Sequence, residues 1–273
     1  MHDAAADSPD HYEHNVRPVV IITGGGSGIG QECARHLAAH QWEVVIAGRR
    51  AQALEHVSNE IGATAVTCDI ESPQQCEELI NTVAARFGRL DGLVLSASAS
   101  FAGPFNSLSH ERWSTTVQTN IVGNADLCRQ ALPLLAKSQG SIVAVSSLAA
   151  LRASSYMSAY AASKAGLSML IQSLAVEFGS KGVRANAVCP CWVRTDMADR
   201  SMELLMQRHG IDLDEAYRIA CAYVPLQRPA RADEISPLVS FLLSSQASFI
   251  NGAIIPVDGG ASAVDVGALG FRS

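Results

Sequence analysis

Seven short apolar runs, at residues 19–22, 44–47, 63–68, 92–95, 142–145, 185–188 and 253–257, recur along the chain and alternate with longer helical patterns. Runs of about five apolar residues without a polar face read as strands buried on both sides. Crossovers long enough to hold a helix make such strands parallel neighbours. The pattern predicts an α/β fold: a doubly wound, Rossmann-type parallel sheet with helices on both faces, in a single domain. A chain of 273 residues with 48% hydrophobic and 17% charged residues has the apolar material to cover both faces.

The boundaries follow from where that repeat stops. Residues 1–17 show neither period and read as a flexible N-terminal tail; 18–262 form the sheet domain, and 263–273 a C-terminal tail. Within the domain, residues 196–224 read as two short helices joined near Gly210, with Asp212 as an N-cap. Their place beyond a strand's C-terminal end, where such sheets bind ligands, predicts a substrate lid.

Charge and cysteine usage exclude several partners. The net charge of -6 provides no basic stripe for a nucleic acid. No apolar run approaches the roughly 20 residues that span a bilayer, so no membrane partner is expected, and the first 17 residues lack a signal-peptide core. Seven scattered cysteines, an odd number, do not form a disulfide framework and fit a cytoplasmic location. Cys189 and Cys191 form a CxC pair, but without a nearby histidine no metal is expected.

The first strand runs straight into Thr23-Gly24-Gly25-Gly26-Ser27-Gly28-Ile29-Gly30, followed by a helical pattern. Glycines there let the backbone approach a pyrophosphate, which then faces the free N–H groups of the helix start. The second strand ends Ala47-Gly48-Arg49-Arg50, with no carboxylate for a ribose 2′-hydroxyl. Forked donors of Arg49 and Arg50 suit a 2′-phosphate, so NADP is favoured over NAD. Asp69 and Ile70, after the third strand, suit an adenine amino group and ring face; Asp69 equally suits an N-cap of the next helix.

Tyr160 and Lys164, four apart in Ser158-Ala159-Tyr160-Ala161-Ala162-Ser163-Lys164, lie on one helix face. For a phenol to act as a base near neutral pH its pKa must fall by about 3 units, roughly 4 kcal/mol, and a neighbouring ammonium has the right sign. Ser147, just beyond the fifth strand, can polarise a carbonyl while Tyr160 moves the proton. Asn120 is a polar residue inside a long helical pattern that starts after Ser109, able to hold a relay water or simply be tolerated there.

In this order, TGxxxGxG, Asp69, Asn120, Ser147, Tyr160, Lys164 and the closing Val257-Asp258-Gly259-Gly260 resemble the classical short-chain dehydrogenase/reductase family from about residue 19 to 260. The resemblance implies a hydride transfer between a nicotinamide cofactor and a carbonyl or alcohol. On it, Tyr160 is the acid/base, Lys164 lowers its pKa and binds the nicotinamide ribose, Ser147 positions substrate, and Asn120 completes a water-linked relay. It also implies that Pro190, Val193 and Thr195 hold the nicotinamide, supports Arg49 as an NADP residue, and implies a homotetramer paired through the helices around 109–135 and 155–178. Where the family has Asn-Asn-Ala-Gly, this chain has Leu95-Ser96-Ala97-Ser98; Ser96 and Ala97 are small enough for close backbone approach to the cofactor.

Leu148, Met157, Cys191 and Trp192, with Met197 and Met206 from the lid, are expected to line an apolar substrate pocket. The lid resembles that of relatives acting on 3-hydroxybutyrate, but their carboxylate-holding His and Lys are replaced by Ala149 and Met157. An unpaired buried carboxylate is costly, so the expected small-molecule substrate is a neutral, fairly apolar ketone or secondary alcohol. Two alternatives stand beside it: a 3-oxoacyl thioester reductase, and a catalytically idle, cofactor-binding regulatory protein.

Overall fold

The computed structural model describes residues 17–265 and Gly267; of the expected tails at 1–17 and 263–273, residues 1–16, 266 and 268–273 lie outside the described residues. Seven strands, β1 (Val19–Thr23), β2 (Glu43–Gly48), β3 (Thr64–Thr67), β4 (Gly92–Leu95), β5 (Ser141–Val145), β6 (Arg184–Pro190) and β7 (Ile254–Val257), form one sheet in the order β3-β2-β1-β4-β5-β6-β7. Every neighbouring pair is parallel. Strand order reverses between β1 and β4, which opens a crevice at their C-terminal ends.

Among the described residues nine α-helices flank the sheet, beside shorter helical turns: α1 (Gly28–Ala39), α2 (Ala51–Ile61), α3 (Pro73–Phe87), α4 (His110–Val117), α5 (Asn124–Ser138), α6 (Ser158–Phe178), α7 (Asp196–His209), α8 (Leu213–Ala220) and α9 (Ser236–Leu243). Alternate strand residues feed two cores. Ile21, Val45, Leu93 and Ile142 pack under α3, α5 and α6, while Val20, Ile22, Ile46 and Val143 pack under α1, α2 and α9. This is the doubly wound, two-faced architecture that the apolar runs predict.

Two details differ from the sequence reading. The edge strand β3 is not buried on both faces: Val66 packs against the core under α3 and α5, while Ala65 and Thr67, on the opposite face, are exposed. The helical pattern after Ser109 is not one α-helix, since a π-helical segment, Gln118–Gly123, separates α4 from α5. Gly123 is forced there by a close approach, for a Cβ would lie 2.5 Å from the Ile70 carbonyl oxygen. The helical pair at 196–224 forms as expected, with Gly210 left-handed at φ +64 and the Asp212 side chain accepting from Glu215 N–H at 2.9 Å. It carries its own small core of Ala198, Met202, Ala216 and Tyr217. Arg194 fastens that core, pairing with Asp214 and lying 4.7 Å from the Tyr217 ring centroid.

Candidate active site

The crevice holds a cleft of about 760 Å³. At one end the glycine turn bends through Gly24 (φ +67) and Gly28 (φ +55), both left-handed. A Cβ on Gly30 would lie 2.5 Å from the Gly24 carbonyl oxygen, so Gly30 serves the packing of the turn on α1 and does not line the cleft. Thr23 is also beneath the surface: its Oγ1 accepts from the N–H groups of Ser96 and Ala97, both at 3.1 Å, fixing the chain after β4 against β1.

The start of α1 is open to a ligand. Ser27 makes no capping bond to α1; the N-caps of α2, α5, α6 and α9 make none either, but α1 is the helix that begins in the glycine turn lining the cleft. Its first N–H groups and the positive end of the helix dipole therefore face the cleft beside Gly24, Gly28 and Ile29, a cradle that fits a diphosphate. Arg49 and Arg50 line the same end, and Arg50 Nη2 donates to Ser27 Oγ at 2.7 Å. Asp69 and Ile70 line it too; α3 is capped by Ser72, while Asp69 Oδ1 accepts from Glu71 N–H at 3.1 Å.

At the other end, β5 and α6 bring Ser147, Tyr160 and Lys164 together. Lys164 is 2% exposed, and its Nζ donates to the Val145 carbonyl at 2.8 Å and lies 5.7 Å from the Tyr160 ring centroid. Burial pushes the Lys164 ammonium down to about 8, with the Cys189 thiol opposing that shift. Burial likewise raises the Tyr160 phenol above its ordinary value, against the opposing effect of the Ser147 and Ser98 hydroxyls. Without a bound cofactor, then, desolvation dominates at Tyr160 and the lowering comes from hydroxyls.

Asn120 does not line the cleft but sits fully buried behind it, in the π-helical segment. Its Oδ1 accepts from Ala99 N–H at 2.8 Å and from Ser98 Oγ at 3.0 Å; its Nδ2 donates to the Ala99 carbonyl and Ser163 Oγ, both at 2.9 Å. Ser163 in turn donates to the Tyr160 carbonyl at 2.8 Å. The amide therefore ties the chain after β4 to the turn of α6 that carries the phenol.

Of the expected pocket residues, Leu148, Met157, Cys191, Trp192 and Met197 line the cleft, as do Ser96, Ala97, Pro190, Val193 and Thr195 from the cofactor set. Met206 does not: it packs into the small core between α7 and α8, because that face of α7 has α8 as its neighbour. Sequence reasoning missed Ser98, Ser100, Arg152, Ser154, Arg200 and Ser201, which also line the cleft. Their position within a few residues of Ala97, Ser147 and Met197 was the available signal. Among the described residues no group of three or more His, Cys, Asp or Glu could hold a metal ion, and no helix is long and apolar enough to cross a membrane.

Comparison with known proteins agrees with this geometry. A family model described as enoyl-(acyl carrier protein) reductase matches residues 24–262. The chain is 40% identical over 259 residues to protein MoaE of Klebsiella aerogenes, covering 93% of this chain and 98% of that protein. It is 35% identical over 250 residues to meso-2,3-butanediol dehydrogenase of Serratia marcescens, covering 90% and 95%. Among solved structures, a variant of actinorhodin polyketide ketoreductase with NADPH superposes with a TM-score of 0.87 at 29% identity, covering 91% of this chain and 98% of that one. The open helix start, the strand-end serine with its tyrosine and lysine, and these matches place the chain in the classical short-chain dehydrogenase/reductase family, as a nicotinamide-dependent oxidoreductase.

Proposed function

We propose that this enzyme transfers a hydride between NADP and a neutral, fairly apolar ketone or secondary alcohol, with Tyr160 as the acid/base. The observation that carries the reading is the placement of the Tyr160 phenol, beside the Ser147 hydroxyl and one helical turn from Lys164, on the wall of a cleft whose far end is the uncapped start of α1. The nicotinamide supplies the hydride acceptor or donor. The protein's own groups do the rest: Ser147 donates to the reacting oxygen, and Tyr160 gives or takes its proton. Lys164, held by the Val145 carbonyl, contributes positive charge near the phenol while it is protonated. Asn120 fixes the relative positions of Ser98 and Tyr160.

Arg49 and Arg50 favour NADP, since both line the phosphate end of the cleft and neither makes an ion pair among the described residues. Leu148, Met157, Trp192 and Met197 favour an apolar substrate. A 3-oxoacyl thioester is the second reading, and Arg152 and Arg200 favour it: both are exposed along the cleft and suit the phosphate of a carrier arm. Helices α7 and α8 act as the lid. We further propose a homotetramer, supported by Met169 and Val176 at 61% and 85% exposed on α6, and a reducing, cytoplasmic setting, supported by seven unpaired thiols.

The test is a panel of ketones, alcohols, hydroxy acids and 3-oxoacyl thioesters assayed with each nicotinamide cofactor in turn. NADP-dependent turnover of neutral ketones is expected, lost in Tyr160→Phe while cofactor binding persists. A preferred hydroxy acid or thioester would overturn the substrate reading, and unchanged turnover in Tyr160→Phe would remove the phenol from the mechanism. A protein that binds cofactor but turns over nothing would be the idle regulator.

A further inference from the structure

Beside the main cleft lies a second cavity of about 360 Å³, and the residues common to the two linings are Cys191 and Trp192. These two residues form the partition. Its backbone is fixed from both sides: Cys191 N–H donates to the Val257 carbonyl at 3.4 Å, the Trp192 carbonyl accepts from Ala230 N–H at 2.9 Å, and Val193 bridges Ala230 in parallel. The indole, by contrast, is held by packing against the small core between α7 and α8. Cutting back that ring removes side-chain lining from both cavities without removing a backbone hydrogen bond.

The chemistry of the second cavity selects its occupant. Its three charged side chains already have partners: Arg228 and Glu234 make a two-bonded ion pair, at 2.7 Å for each bond, and Asp258 accepts from the N–H groups of Gly260 and Ser262 at 2.9 and 2.7 Å. What remains to meet a ligand is mainly Val224, Leu226, Ile235 and Val257, with the thiol of Cys221. Burial pushes that thiol up to about 11, so it stays neutral and behaves as a small apolar group. A polar or charged ligand would lose its hydration here without gaining a partner, whereas a hydrocarbon would not.

We infer that Trp192 sets the upper limit on substrate length, and that the cavity behind it is an apolar distal subsite which a hydrocarbon tail of the substrate reaches only when the indole is cut back. The inference rests on the reading of the cleft as a ketone or alcohol site. Pockets discriminate by about tenfold or more per methylene that is accommodated or refused, so a gain of several carbons' worth of space is measurable.

The experiment compares straight-chain methyl ketones of increasing length in wild type, Trp192→Ala and the milder Trp192→Leu. Trp192→Ala is expected to raise kcat/KM for the longest ketone relative to the shortest by at least about tenfold, with Trp192→Leu between it and wild type. Adding Leu226→Trp narrows the second cavity from its exposed side, Leu226 being 62% exposed, and is expected to take that gain back. An unmoved length ratio in both Trp192 variants, or a gain that survives Leu226→Trp, overturns the inference. If wild type turns over no neutral ketone, the substrate reading fails by itself. Calorimetric binding of a long straight-chain alcohol then tests the subsite independently of turnover: at least tenfold tighter binding by Trp192→Ala upholds it, and equal binding overturns it.

Discussion

Replacing Asn120 by alanine separates two roles for this residue, a scaffold for the site or a participant in proton transfer. The fully buried amide makes four hydrogen bonds, to Ala99 N–H, the Ala99 carbonyl, Ser98 and Ser163. Ser98 borders the cleft and can turn to water, and Ser163 keeps its bond to the Tyr160 carbonyl. The two peptide groups of Ala99 are left without their partner, at about 1–3 kcal/mol for each group that stays dry. Because Ala99 is only half-buried, a total of roughly 3 kcal/mol is expected. For a chain of this size that lowers Tm by roughly 6–12 °C. Urea unfolding at fixed protein concentration measures it. The backbone carbonyl of Asn120, which accepts from Asn124 Nδ2 at 3.1 Å, survives the substitution. A loss below about 1 kcal/mol together with collapsed turnover would therefore refute the scaffold argument and put the side chain itself in the chemistry.

Four further outcomes are expected. Lys164→Met should stabilise the cofactor-free protein at pH 7 by roughly 1–3 kcal/mol. The Lys164 value falls from 10.5 to about 8 on folding, so its penalty is complete below 8 and fades as pH rises toward 10.5, where the unfolded chain holds the extra proton. Urea unfolding at pH 7 and above 10.5 checks the sign, and an equal effect at both would count against it. Tyrosinate absorbance, compared with Tyr160→Phe, should show Tyr160 ionising above its ordinary value of 10 without cofactor; ionisation below 10 in that state would contradict the dominance of burial. Gly30→Ala pushes a methyl within 2.5 Å of the Gly24 carbonyl, so calorimetry should show weaker cofactor binding by roughly 1–3 kcal/mol, and unchanged affinity would mean that the turn is not strained by it. Val176→Glu should break the proposed tetramer by light scattering, and an unchanged mass would move the interface elsewhere.

The strands were legible because the inner ones, such as β1, β4 and β5, are wholly buried and leave no polar face in the sequence. The edge strand β3 was legible as a run but not as an edge, since Thr-Ala-Val-Thr carries no sign of which neighbour is missing. The π-helical segment was not legible at all. Its side-chain spacing differs from an α-helix by one residue over one turn, which falls within the scatter of apolar periodicity. Asp212 and Gly210 were readable because capping and left-handed backbone are local chemistry. Met206 shows the limit of such reasoning: periodicity says which residues share a face of α7, but only the tertiary arrangement decides that this face meets α8 and not the cleft.

The site itself divides along the same line. Strand-end and helix-start positions, from Gly24 and Gly28 to Ser147 and Tyr160, could be read because their distance from a strand fixes where they emerge. In the stretch Leu95-Ser96-Ala97-Ser98 the small side chains of Ser96 and Ala97 could be read, and both line the cleft; how its backbone is supported could not, since that depends on contacts from Thr23 and Asn120, residues distant in sequence. Thr23 Oγ1 accepts from both peptide N–H groups at Ser96 and Ala97, and Asn120 clamps both polar groups of Ala99, so the path of this segment is held chiefly by its neighbours, with Ser98 Oγ adding a bond to Asn120 Oδ1. At Ser98 the segment places an added hydroxyl between Asn120 and the phenol, where it opposes the effect of burial on Tyr160. A departure that reads in the sequence as a lost motif is thus, in the folded chain, a supported backbone carrying one more hydroxyl beside the proposed acid/base.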